Sequence, residues 1–277
     1  MNEAQTFDPR LTLARPEVAD AALQGLVKAD RFLKTQAFHC AAGATAIRRD
    51  PNPLAEQLDQ LLYGETFRVM ETGRGWGWGQ AGRDGYVGHV LLAHLQPGAL
   101  QATHRVSALR AYAFGRPDIK SRPLALLSLN SLVAVEAEEG AFLKAGGSGW
   151  IPAVQLKPIG QVETDPAAVA ERFLGAPYQW GGRESLGLDC SGLVQQALHA
   201  CGLYCPRESD QQQALGRPVE QADLARGDLV FWKGHVGMML DAARLIHANA
   251  FHMQVEIEPL AEALARVGEP VALRRPA

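Results

Sequence analysis

Residues 187–203 read GLDCSGLVQQALHACGL, with a cysteine set between an aspartate and a serine where an apolar helical pattern begins. Leu193, Val194, Ala197, Leu198 and Cys201 fall at the spacing of one buried helical stripe, and Cys190 lies three and four residues before its first members. The pattern predicts a helix from near Cys190 to near Gly202, with the thiol turned toward a sheet. A helix N-terminus presents unpaired N–H groups and about half a positive charge, which favours thiolate over a thiol that otherwise titrates near about 8.5. Cys190 is therefore a candidate nucleophile, and a core thiol is the alternative. Cys201 and Cys205 read as core thiols.

A cysteine nucleophile needs a base, usually histidine, within hydrogen-bond reach. In HVGMML, residues 235–240, Val236, Met238 and Leu240 point one way and leave His235, Gly237 and Met239 on the other face. In ARLIHA, residues 243–248, His247 shares a face with Leu245. A hairpin around Asp241 and Ala242 would bring His235 and His247 within a residue or two of being opposite each other, one as base and one orienting it. Gly237 is expected to leave room for a helix start. His39, His89, His94, His104, His199 and His252 show no comparable partner pattern. Cys190, Cys201 and Cys205 are not spaced as C-x-x-C pairs, so no zinc site is indicated.

Downstream, QVEIE reads as a further strand and PLAEALARV as a helix. Upstream, Asp165 and Pro166 form a helix start, and AAVAERFL runs on to Gly175 as a helix with a glycine stop. Helices first and an antiparallel sheet after make an α+β unit. Farther upstream, DGYVGHVLLAHL (84–95) and GGSGWIPAVQL (146–156) each place a Gly and an aromatic before an apolar strand, which predicts two small β-barrels in tandem. The expected division is an N-terminal arm (1–30), a first β-unit (31–100), a second (101–160) and the α+β unit (161–277), with KPIGQVETDP as linker. A net charge of -3 makes no electrostatic case for nucleic acid or an anionic membrane. The N-terminus has early acids and no long apolar run, so neither a signal peptide nor a membrane anchor is expected, and a cytoplasmic protein is the default. Four cysteines are too few for a disulfide framework and fit a reducing compartment.

The ordered set PYQWGGRESLGLDCSGLVQQAL, PRESDQQ, GDLVFWKGHVGMML and RLIHA resembles the NlpC-type cell-wall cysteine peptidases, which have a papain-like core. The upstream β-units resemble the bacterial SH3 modules that precede this core in γ-D-glutamyl-L-diamino-acid endopeptidases. The resemblance implies cleavage of the γ-D-glutamyl bond to diaminopimelate or lysine in peptidoglycan stem peptides, without metal or cofactor. It implies Cys190 as nucleophile, His235 as base, His247 as its orienter and Tyr178 as a donor near the oxyanion. Asp189, Ser191 and Ser209 fall where the family lines its substrate groove. Glu65 and Tyr86 are the candidates for holding the free amine of an N-terminal L-alanine in murein peptide recycling. GRGWGWGQAG departs from a commoner single-tryptophan pattern, so Trp76 or Trp78 is a further candidate for shaping the groove. An acyltransferase on the same Cys-His core and a non-catalytic binder of wall fragments are the competing readings.

Overall fold

The structure, a computed structural model, describes residues 7–276; residues 1–6 of the expected arm lie outside them. In the C-terminal unit, Asp165 accepts the N–H groups of Ala167 and Ala168 and starts α1 (Pro166–Glu171). This helix stops four residues short of Gly175. The N–H groups of Arg172 and Phe173 bond three residues back, so the chain tightens into turns that bury Phe173. The central helix, α2, spans Cys190–Ala200, and the loop after it contains a short helix, α3 (Ser209–Gln212).

A six-stranded antiparallel sheet follows, in the order Arg217–Pro218, Ala272–Arg275, Leu229–Trp232, His235–Met239, Arg244–Asn249, Gln254–Pro259. The second of these strands was not expected from VALRR, which shows no alternation. It returns from α4 (Leu260–Val267) to pair with Leu229–Trp232. One sheet face packs Phe231, Val236, Met238 and Ile246 against α1 and α2. The other packs Val230, Trp232, Met239 and Leu245 beneath α4. Burial on both faces is why DLVFW reads as a continuous apolar run.

Upstream, a seven-stranded sheet between Gln36 and Pro97 encloses Cys40, Ile47, Phe67 and Val90. A second β-unit, built from a five-stranded and a three-stranded sheet between His104 and Pro158, encloses Val106, Ala111, Leu127 and Ile151. Tyr63 of the first unit inserts into that second core. The arm is docked: Leu13 and Val18 pack on Met70 and Trp78 of the first unit. No helix among the described residues is long and apolar enough to cross a membrane.

Candidate active site

Asp189 caps α2 by accepting the Gly192 N–H at 2.8 Å, which sets Cys190 as the first helical residue. A side chain at Gly192 would collide with the Gly182 carbonyl, so the helix start lies directly against the preceding loop. Cys190 packs in the core with Val236 and Met238, and the nearby backbone N–H groups of Val236 and Ser191 favour its thiolate. Burial, reinforced by the Asp189 carboxylate, pushes the thiol up to about 12. The expectation that the helix N-terminus would favour thiolate is thus reversed at this position.

The strand register pairs Met238 with Ile246 and Met239 with Leu245; continued, it sets His247 across from Gly237 and His235 one diagonal step away. His235 Nε2 lies 2.8 Å from His247 Nδ1, and His247 Nε2 lies 2.6 Å from Glu258 Oε1. Gly237 makes room for Leu245 rather than for the helix: a Cβ there would sit 2.5 Å from Leu245 Cδ1, while the His247 Cβ stays at an ordinary 3.5 Å. Burial lowers His235 to about 4, helped by neighbouring His247. Burial also lowers His247 to about 4, against the pull of Glu258. The thiol and the histidine pair belong to opposite sheet faces, and Val236, whose backbone lies at Cys190, is one residue beyond His235 at the strand's beginning. His247, His252 and Glu258 are the one group among the described residues whose ligating atoms converge within 4.8 Å, but Arg266 already occupies the Glu258 carboxylate and opposes a cation.

A cavity of about 620 Å³ opens over Cys190 and is lined in part by Tyr178, Asp189, Ser191, Ser209 and Tyr86. Burial and the neighbouring Cys190 and Asp189 raise the Tyr178 phenol, which keeps it a proton donor. Asp189 and Ser191 line the cavity but are occupied: Arg207 donates to Asp189 Oδ2 at 2.6 Å and to Ser191 Oγ at 2.8 Å. Ser209 begins α3 and keeps its place on the wall.

Glu65 does not face the cavity. It accepts the Leu62 N–H at 3.0 Å, turning its side chain inward, where Arg183 and Arg83 hold the carboxylate. The acid beside Tyr86 is instead Glu208, which accepts the Tyr86 hydroxyl at 2.6 Å and lines the cavity. Its sequence signal was the Glu208-x-x-Gln211 spacing of a capping box, hidden in a loop with no helical periodicity. Trp76 and Trp78 are both buried away from the cavity, with the Arg15 guanidinium 3.6 Å over the Trp78 ring. The tryptophan on the wall is Trp180, whose Nε1–H donates to Glu56 at 2.9 Å. Pro9 and Arg10 of the arm complete the wall.

Buried ion pairs join the first β-unit to this site. Arg207 bridges Asp59 at 2.6 Å and Asp189 at 2.6 Å, while Arg183 reaches Glu65 and Asp84. Burial, with Asp84 nearby, raises Asp59 to about 7.

A thiol on a capped helix start, backed by a histidine pair on an antiparallel sheet, defines the papain-like class of cysteine peptidases. Within that class, residues 175–266 match the model of the NlpC/P60 family, and this part of the chain is an NlpC/P60 domain. Residues 47–95 match the bacterial dipeptidyl-peptidase Sh3 domain. A γ-D-glutamyl-L-lysine dipeptidyl-peptidase of Bacillus subtilis is 26% identical over 231 residues, covering 74% of this chain and 76% of that protein. A probable endopeptidase of Mycobacterium tuberculosis is 34% identical over 124 residues, 44% of this chain, and the match spans only 32% of that relative's length. A solved NlpC/P60 family protein from Bacillus cereus shares the fold, with a TM-score of 0.75 at 20% identity over 87% of this chain and 99% of that one.

Proposed function

We propose that this chain is a cysteine endopeptidase that hydrolyses the γ-D-glutamyl bond to a diamino acid in peptidoglycan-derived peptides bearing a free N-terminal L-alanine. The observation that carries the reading is one cavity holding both Cys190 and the Tyr86–Glu208 pair. His235 takes the Cys190 proton as sulfur attacks the γ-carbonyl, and Tyr178 donates to the developing oxyanion. The proton then passes from His235 to the leaving amine, which departs and leaves a thioester. Water attacks that thioester, giving its proton to His235, and the thiol is restored.

Glu208 takes the amine-binding role expected of Glu65. A free ammonium neutralises its carboxylate, whereas an acetylated amine leaves it with the Tyr86 hydroxyl but no counter-charge, at a cost of about 1–3 kcal/mol. Discrimination of about ten- to a hundredfold between the two peptides follows. The second β-unit is read as another SH3-like module, and cytoplasmic recycling of released murein peptides is the setting we propose. The test is mass spectrometry of L-Ala-γ-D-Glu-meso-diaminopimelate and its N-acetylated twin, incubated with the protein and with Cys190→Ala. Release of L-Ala-γ-D-Glu from the free-amine peptide, absent in the variant, is the expected result. Equal cleavage of both peptides would discard the amine gate, and cleavage of neither would discard the peptidase.

A further inference from the structure

We propose that Glu258, clamped by Arg266, is a positioning residue that fixes the tautomers of both histidines and leaves His235 Nδ1 bare to accept the Cys190 proton. The inference rests on the cysteine-hydrolase reading above and adds a fourth member to its catalytic chain. Arg266 donates to both Glu258 oxygens, at 2.9 Å to Oε2 and also to Oε1. Arg266 and His247 together hold Glu258 below the usual carboxylate range although burial pushes upward. An ionised carboxylate only accepts.

The proton assignment follows by elimination. Oε1 lies 2.6 Å from His247 Nε2, off the line of an ideal hydrogen bond but too close for a carboxylate oxygen and a nitrogen lone pair to face each other, so that nitrogen carries the hydrogen. A neutral imidazole has one such hydrogen, so His247 Nδ1 is an acceptor. It faces His235 Nε2 at 2.8 Å, which must therefore donate. The remaining lone pair of His235 is then on Nδ1. Either opposite tautomer would set two lone pairs against each other inside a buried site.

The surroundings keep the rings neutral before reaction. Besides each other, they feel Glu258 on its strand, Arg266 from α4, Asp189 from the start of α2 and His252 from the turn before Gln254. The Trp232 ring, centred 5.7 Å from the His235 ring, adds no charge. When His235 takes the thiol proton, the new positive charge is balanced through His247 by Glu258. Arg266 is itself held in place over the Phe251 ring, 4.5 Å from its centroid.

Two readouts independent of any peptide substrate test this. Long-range 1H–15N spectra should show both rings as Nε2–H tautomers in the wild-type protein and a mixed His247 in Glu258→Ala. Alkylation of Cys190 by iodoacetamide at neutral pH, followed by peptide mass spectrometry, should slow at least about tenfold in Glu258→Ala. The Cys201 rate serves as the internal reference. Glu258→Gln, which retains an acceptor oxygen, should recover part of the rate and keep the tautomers. An Nδ1–H proton on either ring in the wild type would overturn the proposal, as would an alanine variant with unchanged tautomers and unchanged alkylation. If accelerated Cys201 alkylation reveals that the alanine variant is unfolded, the glutamine variant decides: retained tautomers with a slowed Cys190 support the proposal, and an unchanged rate overturns it. Correct tautomers in a protein that cleaves no peptide would remove the proposed substrate and leave the relay standing.

Discussion

At Cys190 two fields oppose each other. Backbone N–H groups at the start of α2 favour the thiolate, while burial and the adjacent Asp189 favour the thiol, and the latter prevail. The resting pair is then a neutral thiol and a neutral imidazole, so activity needs His235 unprotonated rather than a preformed ion pair. Because burial holds His235 near about 4, kcat/KM should stay flat through mildly acidic pH and fall only as pH drops through about 4. A pH–rate profile with an acid limb near the ordinary histidine value of about 6.5 would contradict this. The same shift bears on stability: each depressed histidine favours the fold above about 6.5 and loses that contribution as pH falls toward about 4, because the unfolded chain binds protons first. Tyr178→Phe removes only the hydroxyl and should lower kcat by roughly a hundredfold with little change in KM, as loss of an oxyanion donor does; a raised KM with normal kcat would assign Tyr178 to ground-state binding. Cys190, His235 and His247 could be picked out from sequence because local periodicity fixes which face each occupies. Glu208 and Glu258 could not, since their partners, Tyr86 and His247, are set by packing between segments and by sheet register.

The start of α2 is held from outside the helix as well as within it. Asp189 accepts the Gly192 N–H as an N-cap and the Gly181 N–H at 2.9 Å, and it neutralises Arg207, a guanidinium only 1% exposed. Asp189→Ala therefore removes a cap, worth about 1 kcal/mol, and leaves a buried cation short of one partner, for a total loss of about 3–5 kcal/mol. Asp189→Asn keeps the cap through Oδ1 but loses the charge and the Oδ2 acceptor of the Gly181 N–H and Arg207, so melting temperatures should fall in the order wild type, Asn, Ala. Equal melting of all three would mean that Asp59 alone satisfies Arg207. The limits of α2 were legible to within about two residues because the apolar stripe begins and ends there, and Asp189 supplies the cap that fixes its first residue. α3 has the cap but no stripe, being one turn long, and the Ala272–Arg275 strand exists because Leu229–Trp232 offers it a pairing edge.

Across the whole molecule, the groove is built by three segments far apart in sequence. The NlpC/P60 domain supplies the thiol, the first β-unit supplies Tyr86, and the arm supplies Pro9 and Arg10. The docking of these pieces is specified by charges that look like ordinary surface residues in a linear reading, such as Asp59 and Arg183, both fully buried. The arm's tip is held differently. Arg10 pairs with Asp8 at 2.7 Å and with Asp210 at 2.8 Å, in contacts still open to solvent, while the rest of the arm is anchored by Leu13 and Val18. Exposed pairs of this kind are worth about 0–1 kcal/mol, so Arg10→Ala should loosen the tip without unfolding the arm. If Pro9 and Arg10 close the groove beyond Glu208, the variant should cleave a glycyl-extended peptide better relative to the parent tripeptide. The kcat/KM ratio should shift by up to about fivefold, the span that about 1 kcal/mol allows. A ratio unchanged by Arg10→Ala, with the melting temperature also unchanged, would show that Glu208 alone sets the length of peptide accepted and that the arm tip is only a surface contact.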